Sequence, residues 1–101
     1  MARKAQKEAA IENLRAKKQA SLRLHGNSMH PRIPSGSRVT LDPCTAEEAE
    51  VGDAVLCRVN GNIMCHLVKA KQGDRCQISN LKGRVNGWTK AVYGRVVKVE
   101  N

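Results

Sequence analysis

The chain has 101 residues, which is enough for one domain with a modest core. Hydrophobic residues make up 41% of it, but with one Trp, one Tyr and no Phe that core must be mainly aliphatic. The sequence contains neither an apolar run long enough to span a membrane nor the apolar stretch of a secretion signal. We therefore expect a soluble, cytoplasmic protein without a membrane anchor.

The net charge of +9 is concentrated near the N-terminus. Residues 1–24, which we call the basic head, contain seven Lys or Arg and two Glu, a net charge of +5. Such a segment can bind nucleic acid or an acidic protein surface, although a solvated face has the same composition. We predict that the basic head is a helical segment and that residues 25–101 form a separate domain.

Within the basic head, residues 3–21 are rich in strong helix formers and contain no Gly or Pro. The large apolar residues of this predicted helix are Ile11 and Leu14, so it is expected to be exposed or weakly docked. A turn at Gly26 follows soon after, so a helix-turn-helix cannot be assembled here.

After residue 36 the hydrophobic pattern changes to that of β-strands. An Asn-Gly dipeptide at 60–61 predicts a type I′ hairpin, and Gly94 is expected to mark a bulge. Residues 45–50 could form one helical turn or a loop, and Trp88 is interpreted as an aromatic plug of the core. Strands are predicted at 37–41, 54–59, 62–69, 75–79 and 91–99. The fold class is mainly β, a small, twisted and partly closed antiparallel domain.

The residues Gly-Asn-Ser-Met-His-Pro at 26–31 place Ser28 on a tight turn, since Pro31 turns the backbone away from helix. An x-Ile-x-x-Gly-x-x-Val segment follows, then Val-Gly-Asp-Ala-Val at 51–55 and an apolar strand, Ile-Met-Cys-His-Leu-Val, at 63–68. In this order, residues 25–99 resemble the signal peptidase and LexA-type repressor peptidase superfamily. The resemblance implies a serine endopeptidase that hydrolyses a peptide or protein substrate through an acyl-enzyme.

By this resemblance, Ser28 is the nucleophile and His66 the general base. A serine hydroxyl needs such a base, and a histidine is mostly neutral at physiological pH. The backbone N–H of Ser28 would contribute to the oxyanion hole, and Met29 and Pro31 would contact substrate. Some signal peptidases have a serine hydroxyl where this chain has Gly26, so a second donor must be another backbone N–H.

The resemblance to His-type signal peptidases implies an Asp as the third catalytic residue, but the matching region of this chain, residues 78–84, contains no carboxylate. Asn80 could orient His66 by a hydrogen bond, and Asp42 and Asp74 are further candidates. We predict a Ser-His dyad. His25 and His30 flank the nucleophile and are alternative bases.

Two alternatives stay open. His66 could be a structural histidine, and the chain could be a non-catalytic regulatory or nucleic-acid-binding module that keeps the peptidase fold.

No cofactor or metal is predicted, since the four cysteines contain no Cys-x-x-Cys pair and are expected to be reduced thiols (Cys44, Cys57, Cys65 and Cys76). Cys65 adjoins His66, but neighbouring strand residues point to opposite faces, so they make a poor catalytic pair.

Overall fold

The structure is a computed structural model that describes residues 4–101. It has one helix and seven strands, namely α1 (Lys4–Arg15), β1 (Ala20–Leu24), β2 (Ser37–Pro43), β3 (Ala54–Val59), β4 (Asn62–Gln72), β5 (Arg75–Ser79), β6 (Val85–Thr89) and β7 (Val92–Glu100). Among these residues no helix has the length and apolarity needed to cross a bilayer.

All seven strands form one antiparallel sheet in the order β1-β2-β7-β3-β4-β5-β6. The sheet curls, and both of its faces carry a buried cluster. One cluster lies under α1 and contains Ile11, Leu14, Leu41 and Leu56. The other lies under the segment at 44–49 and includes Val55 and Ile78. The predicted mainly β fold is confirmed.

The predicted hairpin is confirmed at β3 and β4. Val59 pairs with Asn62, and the two turn residues between them have positive φ, 49° at Asn60 and 83° at Gly61. These are the backbone angles that a type I′ turn requires. The hairpin positions β4, which carries His66.

The predicted helix is wrong beyond Arg15, and its expected start at Arg3 lies outside the described residues. Ala20 and Leu22 are buried while the residues between and after them are exposed, which is the alternation of a strand. This strand, β1, pairs along its whole length with β2. Burial of one face therefore outweighs the helix propensity of the segment.

One further expectation is changed by β6, a strand that the sequence pattern did not predict. Trp88 lies on this edge strand with 43% of its surface exposed, so it is not a plug of the core. The core is filled by aliphatic side chains and by the four cysteines, all of them buried and none in a disulfide. The bulge expected at Gly94 is present, because the register between β3 and β7 shifts next to it.

Segment 44–49 makes a single turn held by a reciprocal capping contact. The Glu48 N–H donates to Thr45 Oγ1 at 3.2 Å, and the Thr45 N–H donates to Glu48 Oε1 at 3.0 Å. Hydrogen bonds to Thr45 lower the pKa of the exposed Glu48 carboxyl. The turn buries Ala46 and Ala49 in the second cluster and so shields that face of the sheet from water.

Candidate active site

Ser28 lies in the loop between β1 and β2, at residues 25–36. Two side chains on its inner side, Met29 and Ile33, are buried in the cluster beneath α1, and the Ile33 N–H donates to the Met29 carbonyl at 2.7 Å. Near the start of the loop, the Gly26 N–H donates to Ser35 Oγ at 2.9 Å. These contacts fix the backbone around Ser28, while the Ser28 side chain stays exposed.

A second loop, between β5 and β6, holds the backbone of Ser28 from the other side. The Leu81 N–H donates to the Ser28 carbonyl at 2.8 Å. Asn80 shapes this loop, because its Oδ1 accepts the Arg84 N–H at 2.9 Å. The suggested contact between Asn80 and His66 is therefore not formed, and Asn80 acts on the loop that supports the Ser28 backbone.

His66 projects from β4 between two polar side chains. Its Nε2 lies 3.1 Å from Ser28 Oγ, and its Nδ1 lies 2.8 Å from Asn86 Oδ1. An amide oxygen can only accept a hydrogen bond, so the proton of a neutral imidazole resides on Nδ1. The Nε2 lone pair then faces the Ser28 hydroxyl, the arrangement that a general base needs.

Asn86 is the residue of this site that sequence analysis missed. In the pairing of β5 with β6, Ile78 faces Gly87 and Ser79 faces Val85, so Asn86 is the extra residue of a β-bulge. Bulges re-aim side chains and are common next to active sites. The only signal in the sequence was the Asn-Gly dipeptide at 86–87, which indicates a turn or bulge but does not tell which histidine it faces.

Gly87 makes this bulge possible. Its φ is 141°, and a Cβ there would lie 3.1 Å from Val59 Cγ1. A side chain at this position is thus disfavoured both by backbone conformation and by the close approach of β3. The glycine allows β6 to approach the hairpin closely enough for Asn86 to contact His66.

The surroundings of His66 favour its neutral form. Burial lowers the pKa of the imidazole below its usual value, and the positive charge of Lys7 acts in the same direction. The hydrogen bond to Asn86 acts the opposite way but does not outweigh burial. A neutral imidazole is the form that can accept a proton from Ser28.

The other candidate residues are not in contact with His66. His25 and His30 are both exposed. Asp42 accepts a hydrogen bond from Gln19 Nε2 at 2.6 Å, and Asp74 pairs with Lys90 at 3.5 Å. Neither carboxylate serves as a third member of the Ser28 and His66 pair.

Ser28 and His66 open into a cleft of about 520 Å³. Met29 lines this cleft, whereas Pro31 is exposed and is not part of its lining. Cys65 also reaches the cleft, but burial raises the pKa of its thiol to about 12, so it is not available as a thiolate nucleophile. Of the nucleophilic side chains that line the cleft, Ser28 is therefore the one with a base beside it.

The sequence matches the family model described as Peptidase S24-like over residues 3–82, about four fifths of the chain. Comparison with curated proteins gives no match. The matched region contains Ser28 and His66 and ends before Asn86. A match of this extent, with a curled antiparallel sheet, agrees with the resemblance found in the motifs, and the chain belongs to the Peptidase S24-like family.

Proposed function

We propose that this protein is a serine peptidase in which Ser28 is the nucleophile, His66 the general base and Asn86 the residue that orients the base. The observation that carries the proposal is the continuous contact from Ser28 Oγ through the His66 ring to Asn86 Oδ1, at 3.1 and 2.8 Å. Nucleophile, base and orienting group stand in the order that activates a serine.

In the proposed reaction, Ser28 Oγ attacks the carbonyl carbon of the scissile peptide while its proton moves to His66 Nε2. The tetrahedral intermediate collapses when the C–N bond breaks and the leaving amine takes that proton, which leaves an acyl ester on Ser28. Water, deprotonated by His66, then attacks the ester carbon, the bond from that carbon to Ser28 Oγ breaks, and His66 returns its proton to Ser28 Oγ, which releases the acid and restores the serine hydroxyl.

The developing oxyanion needs hydrogen-bond donors. The Ser28 N–H is suited to this, because within residues 4–101 neither a backbone nor a side-chain acceptor takes it. Loss of one donor of an oxyanion hole commonly costs about 2.7–4 kcal/mol of transition-state stabilisation. A backbone donor on the nucleophile itself has the further advantage that it moves with the attacking oxygen.

The test compares Ser28→Ala and His66→Gln with the parent on a randomised peptide pool, with products identified by mass spectrometry. We expect both variants to lose hydrolysis while keeping the parent's thermal unfolding midpoint, since neither side chain fills the core. Ser21→Ala is the matched control, because Ser21 is an exposed serine on β1. If Ser28→Ala cleaves the pool as fast as the parent, the nucleophile is another residue.

A further inference from the structure

A lysine of α1 reaches into the cleft beside the proposed catalytic pair. Lys7 is 7% exposed, and its Nζ donates to the Ile63 carbonyl on β4 at 3.2 Å. Lys7 lines the same cleft as Ser28 and His66. The positive charge of Lys7 lowers the pKa of His66, although burial of the imidazole has the larger effect.

The charge of Lys7 has no anionic partner in the described structure. Within residues 4–101 no carboxylate oxygen lies within 4.0 Å of its ammonium group. The Ile63 carbonyl accepts one of the three N–H donors, which leaves two. A buried charge is costly unless it is paired and hydrogen-bonded, and burial accordingly lowers the pKa of Lys7.

The rest of the cleft fits a carboxylate on a short aliphatic stem. Leu24, Ile33 and Met64 supply apolar surface, and Lys4 adds a second cationic side chain. The protein as a whole carries a net charge of +9, which attracts acidic peptides over longer distances. Local contacts and the overall field thus favour the same class of ligand.

We infer that Lys7 binds a carboxylate of the peptide substrate, so that the peptidase selects peptides with Asp or Glu close to the bond that it cleaves. This inference rests on the proposed function, since it assigns the substrate class of the same cleft. Two free N–H donors and a full positive charge match the two oxygens of a carboxylate. Lys7 would then be a specificity-determining residue rather than part of the proton transfer.

The experiment uses two peptide pools that differ at one fixed position, Glu in one and Gln in the other, each prepared with a free and an amidated C-terminus. The parent should show a kcat/KM about tenfold or more higher for the Glu pool, the size expected of a charge-assisted hydrogen bond. Lys7→Met, which keeps the length of the stem, should bring that ratio close to one. Lys7→Gln serves as a second variant, and thermal unfolding midpoints check that both are folded.

The matched control is Lys18→Met, which removes the same charge from an exposed position and should keep the preference. An unchanged Glu to Gln ratio in Lys7→Met overturns the inference. An equal loss of kcat/KM for both pools in Lys7→Met would overturn it as well, because Lys7 would then act on the reaction and not on the choice of substrate. A preference that follows the free C-terminus and not the Glu side chain would show a terminal carboxylate to be the ligand and would refute selection of Asp or Glu.

Binding separates this inference from the proposed function. The fluorescently labelled pools are titrated against Ser28→Ala, with and without Lys7→Met, and affinity is read by anisotropy. Tighter binding of the Glu pool that disappears with Lys7→Met supports the carboxylate site even if the parent cleaves neither pool, an outcome that refutes the peptidase. Equal affinity for the two pools, or no binding of either, refutes the carboxylate site.

Discussion

The side chain that contacts His66 Nδ1 is the uncharged amide of Asn86 and not a negatively charged carboxylate. Asn86 Oδ1 accepts the hydrogen bond from His66 Nδ1, but this amide cannot neutralise the imidazolium that the proposed proton transfer from Ser28 would form. The nearby Lys7 charge opposes that imidazolium further. At the scale of single residues, the surroundings of His66 favour its neutral form and give little stabilisation to its protonated form.

The pH dependence of hydrolysis follows from this. The proposed mechanism needs neutral His66, so kcat/KM should fall as pH drops through the pKa of His66, which lies below its usual value of about 6.5. Asn86→Asp places a negative charge at Nδ1 and raises that pKa, which should move the acidic limb of the profile to higher pH. The measurement is kcat/KM against pH for both proteins.

Asn80→Asp is the control, since it makes the same amide to carboxylate change in the loop between β5 and β6. Its acidic limb should stay close to that of the parent. If Asn86→Asp leaves the limb in place, Asn86 does not contact the catalytic base in solution.

The residues of the site differ in how far a sequence can identify them. Ser28 and His66 could be proposed as a pair from the sequence, because each lies in a short local motif whose order along the chain is specific, and their side chains lie 3.1 Å apart. Asn86 was not found, because its role depends on an extra residue in the pairing of β5 with β6, and a bulge does not follow from hydrophobic alternation. Asn80 was chosen for its position in the sequence, while its side chain is used within its own loop.

At the scale of elements, α1 and β7 pack together more closely than a side chain would allow. A Cβ on Gly94 would lie 2.8 Å from the Asp42 carbonyl oxygen and 2.9 Å from both terminal methyls of Leu14. The sparse apolar stripe of the helix is therefore sufficient for firm docking, because Leu14 enters a space left by the glycine. This contact between distant segments is not visible in the helix sequence, which explains why an exposed helix was expected.

We predict that Gly94→Ala destabilises the protein by about 1–3 kcal/mol, the usual cost of overpacking a filled core. The new methyl group must displace either the β2 backbone or Leu14. Chemical denaturation of parent and variant measures the change. Val97→Ile is the control, because it adds one methylene to an exposed side chain of the same strand, and a cost equal to that of Gly94→Ala would argue against tight packing of α1.

The basic head is also a candidate surface for nucleic acid, since Lys17 and Lys18 are exposed in the turn between α1 and β1. If this surface holds duplex DNA, affinity should fall linearly with log[salt], with a slope of roughly −0.9 per neutralised phosphate. The double variant Lys17→Gln and Lys18→Gln should weaken binding and reduce the slope by up to about two. Titration of a labelled duplex at several salt concentrations measures both.

Lys69→Gln with Lys82→Gln is the matched control, because it removes two exposed charges elsewhere on the surface. Equal weakening by the two double variants would mean that only net charge matters. Absence of binding at low salt would leave the head without a role in holding nucleic acid.

At the scale of the whole molecule, α1 and β1 are part of the common core. Ile11, Leu14 and Leu22 are buried in one cluster with Val39 and Leu41 of β2. The overall sheet was predictable because alternation and turn residues mark most strands, but the cover that α1 provides on one face and the pairing of β1 with β2 were not. A peptidase-like unit of residues 25–101 would lack that cover.

We therefore predict that deletion of residues 1–24 prevents stable folding and with it the proposed hydrolysis, whereas the sequence suggested that residues 25–101 form a separate domain. Removal exposes the apolar face of β2 and leaves β2 as an unpaired edge. Circular dichroism and thermal unfolding of the truncated protein give the measurement. A cooperative transition at the parent midpoint would show that residues 25–101 fold alone.

We do not expect the protein to cleave its own chain. LexA-like proteins cut their own chain at Ala-Gly or Cys-Gly, and neither dipeptide occurs in this sequence. Mass spectrometry after incubation at alkaline pH should return the full-length mass for both the parent and Ser28→Ala. A fragment found with the parent alone would establish self-cleavage by Ser28.

Because α1 carries both the apolar residues that pack in the core and the lysine that lines the cleft, its docking couples the packing of the core to ligand binding in the cleft. A ligand that binds the docked helix through Lys7 raises the free energy of its local opening, by an amount set by ligand concentration relative to Kd. A partner that captured the helix in an undocked form would oppose peptide binding to the same extent. Amide hydrogen exchange along residues 4–15 should therefore slow when an acidic peptide is bound, which makes the helix a reporter of occupancy in the cleft.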